Sequence, residues 1–218
     1  MMENICNSIA SSIGKKLNYN DEQVAVVAYG LFAIFQTIGM FILSSIIGII
    51  FRCWIECFMI FLAVGIMRKY TGGAHSRTLL GCTLFSLFII GSLGYISRYA
   101  LNDLYLSLQE SYYHYLIFLF YIPVYTIMIL IVKKLAPVDS PNKPIRKPEK
   151  IKRLNNYSVI LVSFYFLLSA LFFSIANHNI RFLSVSLSLL FATVWQTFTL
   201  TKPGHKLIHI LDFLKPKP

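Results

Sequence analysis

"VAVVAYGLFAIFQTIGMFILSSIIGIIF", Val24 to Phe51, contains no charged side chain. A spanning helix needs roughly 20 mostly apolar residues, because a ~30 Å hydrocarbon core is crossed at ~1.5 Å per residue. This run is long enough to cross a bilayer, and it is too long for the apolar core of a cleavable signal peptide. Five further apolar stretches follow it: Trp54 to Met67, Leu79 to Ile96, Tyr112 to Val132, Tyr157 to Ala176 and Phe182 to Leu200. Trp54 to Met67 is short and carries Glu56, so a tilted span, a span that thins the bilayer and a re-entrant helix all fit it. With 56% hydrophobic and 13% charged residues and a mean hydropathy of +0.65, the chain suits lipid better than a water-filled surrounding. The expected fold is all-α: a polytopic membrane protein of about six transmembrane helices, the second one short, in a single domain covering residues 1–218.

The net charge of +11 could point to nucleic acid. The basic residues instead gather at the ends of apolar stretches, where anionic headgroups and the cytoplasmic excess of Lys and Arg would hold them, so membrane lipids and not nucleic acid are the expected partners. With both termini, the loop at 68–78 and the loop at 133–153 on the cytoplasmic side, the 20 basic residues divide 17 inside to 3 outside, the three being Arg52, Arg98 and Arg181. This asymmetry supports six spans in the cell membrane with both termini cytoplasmic.

The ends and the long loop have their own patterns. Ile5, Ile9, Ile13 and Leu17 recur at steps of four, which suits a helix over residues 1–20 lying in the interface or packing as an extra helix. Leu207, Ile208, Leu211 and Leu214 repeat the theme in the tail, 202–218. The segment "KKLAPVDSPNKPIRKPEKIKR", Lys133 to Arg153, holds four prolines and eight basic residues. It reads as an extended connector forming a basic cytoplasmic loop over 133–156, serving either to set topology or to dock an acidic partner. The four cysteines (Cys6, Cys53, Cys57, Cys82) lack the spacing of a disulfide framework and are expected as free thiols.

"RKYTGGAHSRTLLGC", Arg68 to Cys82, lies between two apolar stretches at an expected cytoplasmic boundary. A cysteine becomes nucleophilic when a histidine or a helix N-terminus raises its thiolate fraction. A helix starting near Ser76 to Thr78 puts Cys82 near its first turn. His75 on that same helix would lie ~10.5 Å away along the axis, too far to act as a base, so it must precede the helix. Gly72 and Gly73 permit the backbone angles that would fold it back. Arg68 and Arg77 could hold a substrate carboxylate or simply anchor to headgroups. The alternative is a structural Cys and His with no chemistry.

The run Arg68, Gly72, Gly73, His75, Cys82 resembles the signature of the accessory gene regulator protein B family, membrane cysteine endopeptidases that process quorum-sensing peptide precursors in Gram-positive bacteria. The loop beginning "KKLAPVDSPNKPI" is similar to the segment following the fourth apolar stretch in that family. The resemblance implies that Cys82 attacks the peptide bond upstream of the acidic C-terminal tail of a short precursor, with His75 handling the proton. It implies an acyl-enzyme thioester, released by a thiol or hydroxyl within the precursor as a thiolactone or lactone ring. It assigns Arg68 and Gly73 to loop shape and substrate positioning; Gly72, Arg77 and the basic pair Lys133 and Lys134 are further candidates for positioning the substrate, and no metal or cofactor is expected. The rival function is a transporter or peptide-export channel in which the diglycine is a hinge. A homodimer is the default assembly, two-fold oligomers being commonest.

Gln36 and Glu56, polar groups inside apolar stretches, are candidates to orient His75, but Glu56 falls toward the opposite face of the short second span, which leaves Cys82 and His75 as a dyad; Ser86 shares a face with Cys82 but reads as packing. His205 and His209, one turn apart, lack a third metal ligand. Cys53 and Cys57 read as packing, His114 and His178 have no partner in the pattern, and the sequon Asn156-Tyr157-Ser158 falls at a cytoplasmic edge.

Overall fold

The computed structural model describes residues 2–73, 79–100, 113–138, 147–176 and 178–210. The regular structure there is helical: α1 (Met2–Leu17), α2 (Asp21–Ile50), α3 (Trp54–Thr71), α4 (Leu79–Tyr95) continued by a π-helical turn (Ile96–Ala100), α5 (Tyr113–Leu135), α6 (Pro148–Ser174), α7 (Ile180–Phe198) and α8 (Lys202–Ile210). One isolated parallel pairing, Gly72 with Val138, interrupts the pattern. The chain is an all-α, multi-pass membrane protein. Helices occupy all six apolar stretches, and among the described residues four segments are long and apolar enough to cross a bilayer: Asp21–Ile50, Gly81–Tyr99, Pro148–Ser174 and Ile180–Phe198. The second stretch becomes an 18-residue helix carrying Glu56, Arg68 and Lys69.

The chain divides into two compact units, Met1–Leu43 and Ser44–Pro218. In the first, α1 buries Cys6 and Ala10 and leaves Ile5, Ile9 and Leu17 exposed. It ends at Asn18, which takes the left-handed φ of 52° while the Tyr19 N–H donates back to the Gly14 carbonyl at 3.0 Å, a helix stop that asparagine tolerates. Asn20 and Gln23 then bond each other's backbone N–H with their side-chain oxygens, at 2.9 and 3.0 Å. This reciprocal box satisfies two donors that the start of α2 would otherwise leave open.

In the second unit α3 packs against α4, α6 and α7, and α7 also meets α5 and α6. Helix α7 can be central because small and hydroxylated residues stand among the leucines it buries: Ser184, Ser186, Ser188, Ala192 and Thr193 are all buried, beside Leu183, Leu187 and Leu189. Small side chains let helix backbones approach, and in lipid that packing replaces the hydrophobic drive. Three of these hydroxyls bond locally or across helices, those of Ser186, Ser188 and Thr193, while Ser184 Oγ has no partner among the described residues. Ser186 Oγ donates to the Ser169 carbonyl at 2.8 Å, Tyr125 Oη and Ser169 Oγ are 2.7 Å apart, and Tyr165 Oη donates to the Ala63 carbonyl at 3.2 Å.

The long basic segment departs from the expected extended connector at both ends. Helix α5 runs on to Leu135, and α6 begins at Pro148, so residues 148–156 are helix. Proline fits there because its missing N–H would have no partner in a first turn. Lys133 and Lys134 end α5, where the helix dipole favours cations.

Candidate active site at the diglycine turn

Helix α3 closes with the Gly72 N–H donating to the Arg68 carbonyl at 3.0 Å. The chain then turns through two positive φ angles, 66° at Gly72 and 138° at Gly73, a region costly for any residue with a Cβ. Space is equally restrictive. A Cβ on Gly72 would run into the Val138 carbonyl, and one on Gly73 would stand 2.9 Å from Thr199 Oγ1 and 3.3 Å from Gln196 Nε2. The turn is therefore held on one side by the chain leaving α5 and on the other by the end of α7.

Three tethers fix it. The Val138 N–H donates to the Thr71 carbonyl at 2.8 Å. Gln196 Nε2 donates to Thr71 Oγ1 at 2.9 Å and to the Gly72 carbonyl at 2.8 Å. Gln196 is wholly buried, and its Oε1 has no hydrogen-bond partner among the described residues. The segment bearing Val138 is itself clamped from α6: Asn155 Nδ2 donates to the carbonyls of Ala136 at 2.6 Å and Lys133 at 3.0 Å, acceptors that the end of α5 leaves open.

Cys82 sits in the first turn of α4, partly buried and reduced. It lies close enough to Arg68, in the last turn of α3, for a charge on the sulfur to act on the guanidinium. Aromatic contacts frame this end of the unit: Phe85 meets Trp195 edge-on at 5.6 Å, and Tyr70 meets Tyr157 at 5.7 Å.

Of the residues singled out in the sequence, Arg68 and Cys82 are thus in electrostatic reach of each other, and Gly72 and Gly73 form the turn. Lys133 and Lys134 are exposed just ahead of the clamp that leads to it. His75 and Arg77 lie outside the described residues. Glu56 belongs elsewhere, paired at 3.6 Å with Arg98 at the opposite end of α3. Thr71, Val138, Gln196 and Thr199 escaped the sequence reading. Only Gln196 offered a signal, as a polar group inside an apolar stretch, the same criterion that picked out Gln36 and Glu56. Among the described residues no group of three or more His, Cys, Asp or Glu side chains could hold a metal.

A family model described as accessory gene regulator B matches residues 6–200. The chain is 31% identical over 214 residues to a Clostridium perfringens (strain 13 / Type A) protein bearing the provisional name AgrB-like protein 2, covering 97% of each chain. It is 30% identical over 216 residues to an AgrB-like protein of Clostridium perfringens (strain SM101 / Type A), again covering 97% of each. No solved structure matches it.

Proposed function

The chain belongs to the accessory gene regulator B family, and from that premise we propose that it is a membrane cysteine endopeptidase that trims and cyclises a quorum-sensing peptide precursor. Cys82 is the nucleophile and His75 its base. His75 takes the thiol proton as the sulfur attacks the carbonyl upstream of the precursor's acidic tail. The C–N bond then breaks, and the same proton goes to the leaving amine. A cysteine thiolate within the precursor next attacks the thioester carbonyl, closing a thiolactone and returning the Cys82 thiolate; a serine would give a lactone. That exchange replaces one thioester by another and is nearly balanced in energy, so water must be kept from the acyl-enzyme. The membrane boundary favours such exclusion.

The single observation that carries this reading is the glycine turn, fixed on both sides, that closes the helix bearing Arg68 and stands in the chain just ahead of the helix bearing Cys82. A guanidinium at this end of α3 suits an anionic precursor. Lys133 and Lys134 extend that positive field toward the acidic tail. The working side is cytoplasmic, following the distribution of Lys and Arg.

The test is reconstitution with a synthetic precursor, products being weighed by mass spectrometry. Cys82→Ala and His75→Ala should each abolish cleavage while still inserting in the membrane. A precursor whose own ring-closing cysteine is replaced by alanine should leave a hydroxylamine-sensitive adduct on Cys82. Normal cleavage by Cys82→Ala would overturn the mechanism.

A further inference from the structure

At the end of α3 remote from the diglycine turn, the structure has a cavity of about 280 Å³ whose walls include Arg52, Arg98, Arg181, Glu56, Trp54 and Gly48. We propose that this cavity binds a phosphate group, the headgroup phosphate of an anionic membrane lipid.

Charge comes first. Glu56 is buried and is paired with Arg98 at 3.6 Å. That accounts for one of the three arginines. Arg52 and Arg181 are exposed on the cavity wall, and among the described residues neither has an ion pair. The guanidinium is the side chain best shaped for phosphate, offering forked donors to two oxygens at once. The first turns of α3 and α7 border the same space and add to the positive potential.

The backbone shows how the arginines come to be there. Helix α2 stops with the Cys53 N–H donating to the Gly48 carbonyl at 2.8 Å and the Arg52 N–H donating to Ile49 at 3.1 Å. This stop requires a left-handed residue, and Arg52 supplies it at φ 54°, where glycine or asparagine is the easy choice, as Asn18 is at the end of α1. A charged side chain is thus placed at a corner where it costs conformational energy. Gly48 lets the corner close, since a Cβ there would stand 2.7 Å from the Trp54 Cα. Arg98 is delivered by the π-helical turn Ile96–Ala100, a local widening that recurs at functional places in helices.

The rim identifies the kind of anion. Ile49 is 66% exposed, Trp54 42% and Ile55 40%, so the walls pass from guanidinium directly to an apolar surface. A free phosphate has no use for such a surface. A phosphodiester carrying acyl chains does, and an exposed tryptophan suits the headgroup level. Pockets of basic residues between membrane helices are a recognised way of holding lipid phosphate.

The experiment uses the full-length protein in neutral detergent, titrated with phosphatidylglycerol, with phosphatidylcholine and with inorganic phosphate, and read by native mass spectrometry and by Tm. Phosphatidylglycerol should bind and raise Tm. Arg52→Gln/Arg181→Gln should bind it at least about tenfold more weakly, the equivalent of losing one good charge-assisted contact. Lys150→Gln/Lys152→Gln, exposed in the first turns of α6, should bind it as the parent does. Inorganic phosphate producing the whole arginine-dependent shift would keep the anion site but reassign its ligand to a soluble phosphate, overturning the lipid. Equal binding by the arginine and lysine variants, or equal response to phosphatidylcholine, would overturn the site. A variant that loses affinity with an unchanged lipid-free Tm excludes misfolding as the cause.

Discussion

Gln196 shows how much one buried amide can decide. Its Nε2 holds both the Thr71 hydroxyl and the Gly72 carbonyl, joining the end of α7 to the turn that leads into the motif. Removing the amide takes its donor from the half-buried Gly72 carbonyl, a loss of about 1 kcal/mol. Gln196→Leu should therefore lower cleavage sharply, and Gln196→Glu, equal in size but without the donor, should do no better. Thr71→Val, which removes one acceptor of Gln196 and the hydroxyl's own donation to the Met67 carbonyl at 3.0 Å, should be milder, because the Gln196 bond to the Gly72 carbonyl stays. Comparing kcat and KM for the three with a soluble precursor checks this; Gln196→Glu with parental kinetics would show that the donor is dispensable. The glycines provide a graded series of their own. Gly72→Ala should be worst, because its Cβ would meet the backbone carbonyl of Val138, which cannot swing aside. Gly73→Ala should be intermediate, since Thr199 Oγ1 is a side-chain atom, although the φ of 138° still costs ~1–3 kcal/mol. Gly65→Ala, inside α3 with nothing within 4 Å of the new Cβ, should be neutral or stabilising by about 0.5–1 kcal/mol. Thermal unfolding in detergent alongside cleavage would rank them. The motif glycines were legible because glycine pairs announce unusual φ; the atoms that make them necessary were not, since they come from Val138 and Thr199, far away in the chain.

At the scale of elements, apolar runs located the helices well and located their ends less well. Hydropathy reports which solvent surrounds a segment, whereas the backbone keeps its helical bonds wherever its donors and acceptors are satisfied. Helix α6 thus extends through the exposed Lys150, Lys152 and Arg153, and α3 carries Arg68 and Lys69 in its last turn. The serines of α7 mark it as central by their small size, a property that an average of hydropathy hides. The clamp between α5 and α6 is equally invisible in the sequence, resting on Asn155 reaching back to carbonyls of residues 133 and 136. Asn155→Ala should leave those carbonyls open, lower stability by about 1–2 kcal/mol, and release the segment bearing Val138 from Thr71. Because the segment also bears Lys133 and Lys134, the kinetic sign should be a raised KM with a smaller change in kcat. An unchanged KM, measured with the acidic-tailed precursor, would separate the clamp from precursor capture.

On the scale of the whole molecule, α3 carries a basic turn and the diglycine motif at one end and the Glu56–Arg98 pair with its arginine cavity at the other. Its 18 residues extend ~27 Å, close to the ~30 Å of a hydrocarbon core. Charged groups at both ends, with apolar residues between them, are what a short span needs to stop at each boundary, the long basic chains reaching outward to headgroups. A re-entrant α3 would instead bring both ends to one face. These alternatives differ in which reagent can reach which residue. With the four native cysteines replaced by alanine, Lys69→Cys should resist a membrane-impermeant maleimide in intact cells and react once the cells are opened. Arg181→Cys, on the cavity wall at the other end, should react in intact cells. Both positions are exposed on the protein surface, so a difference between them reports sidedness and not burial. Labelling of both from the same side would make α3 re-entrant, would remove the assignment of the arginines to the outer face, and would require a new count of spans.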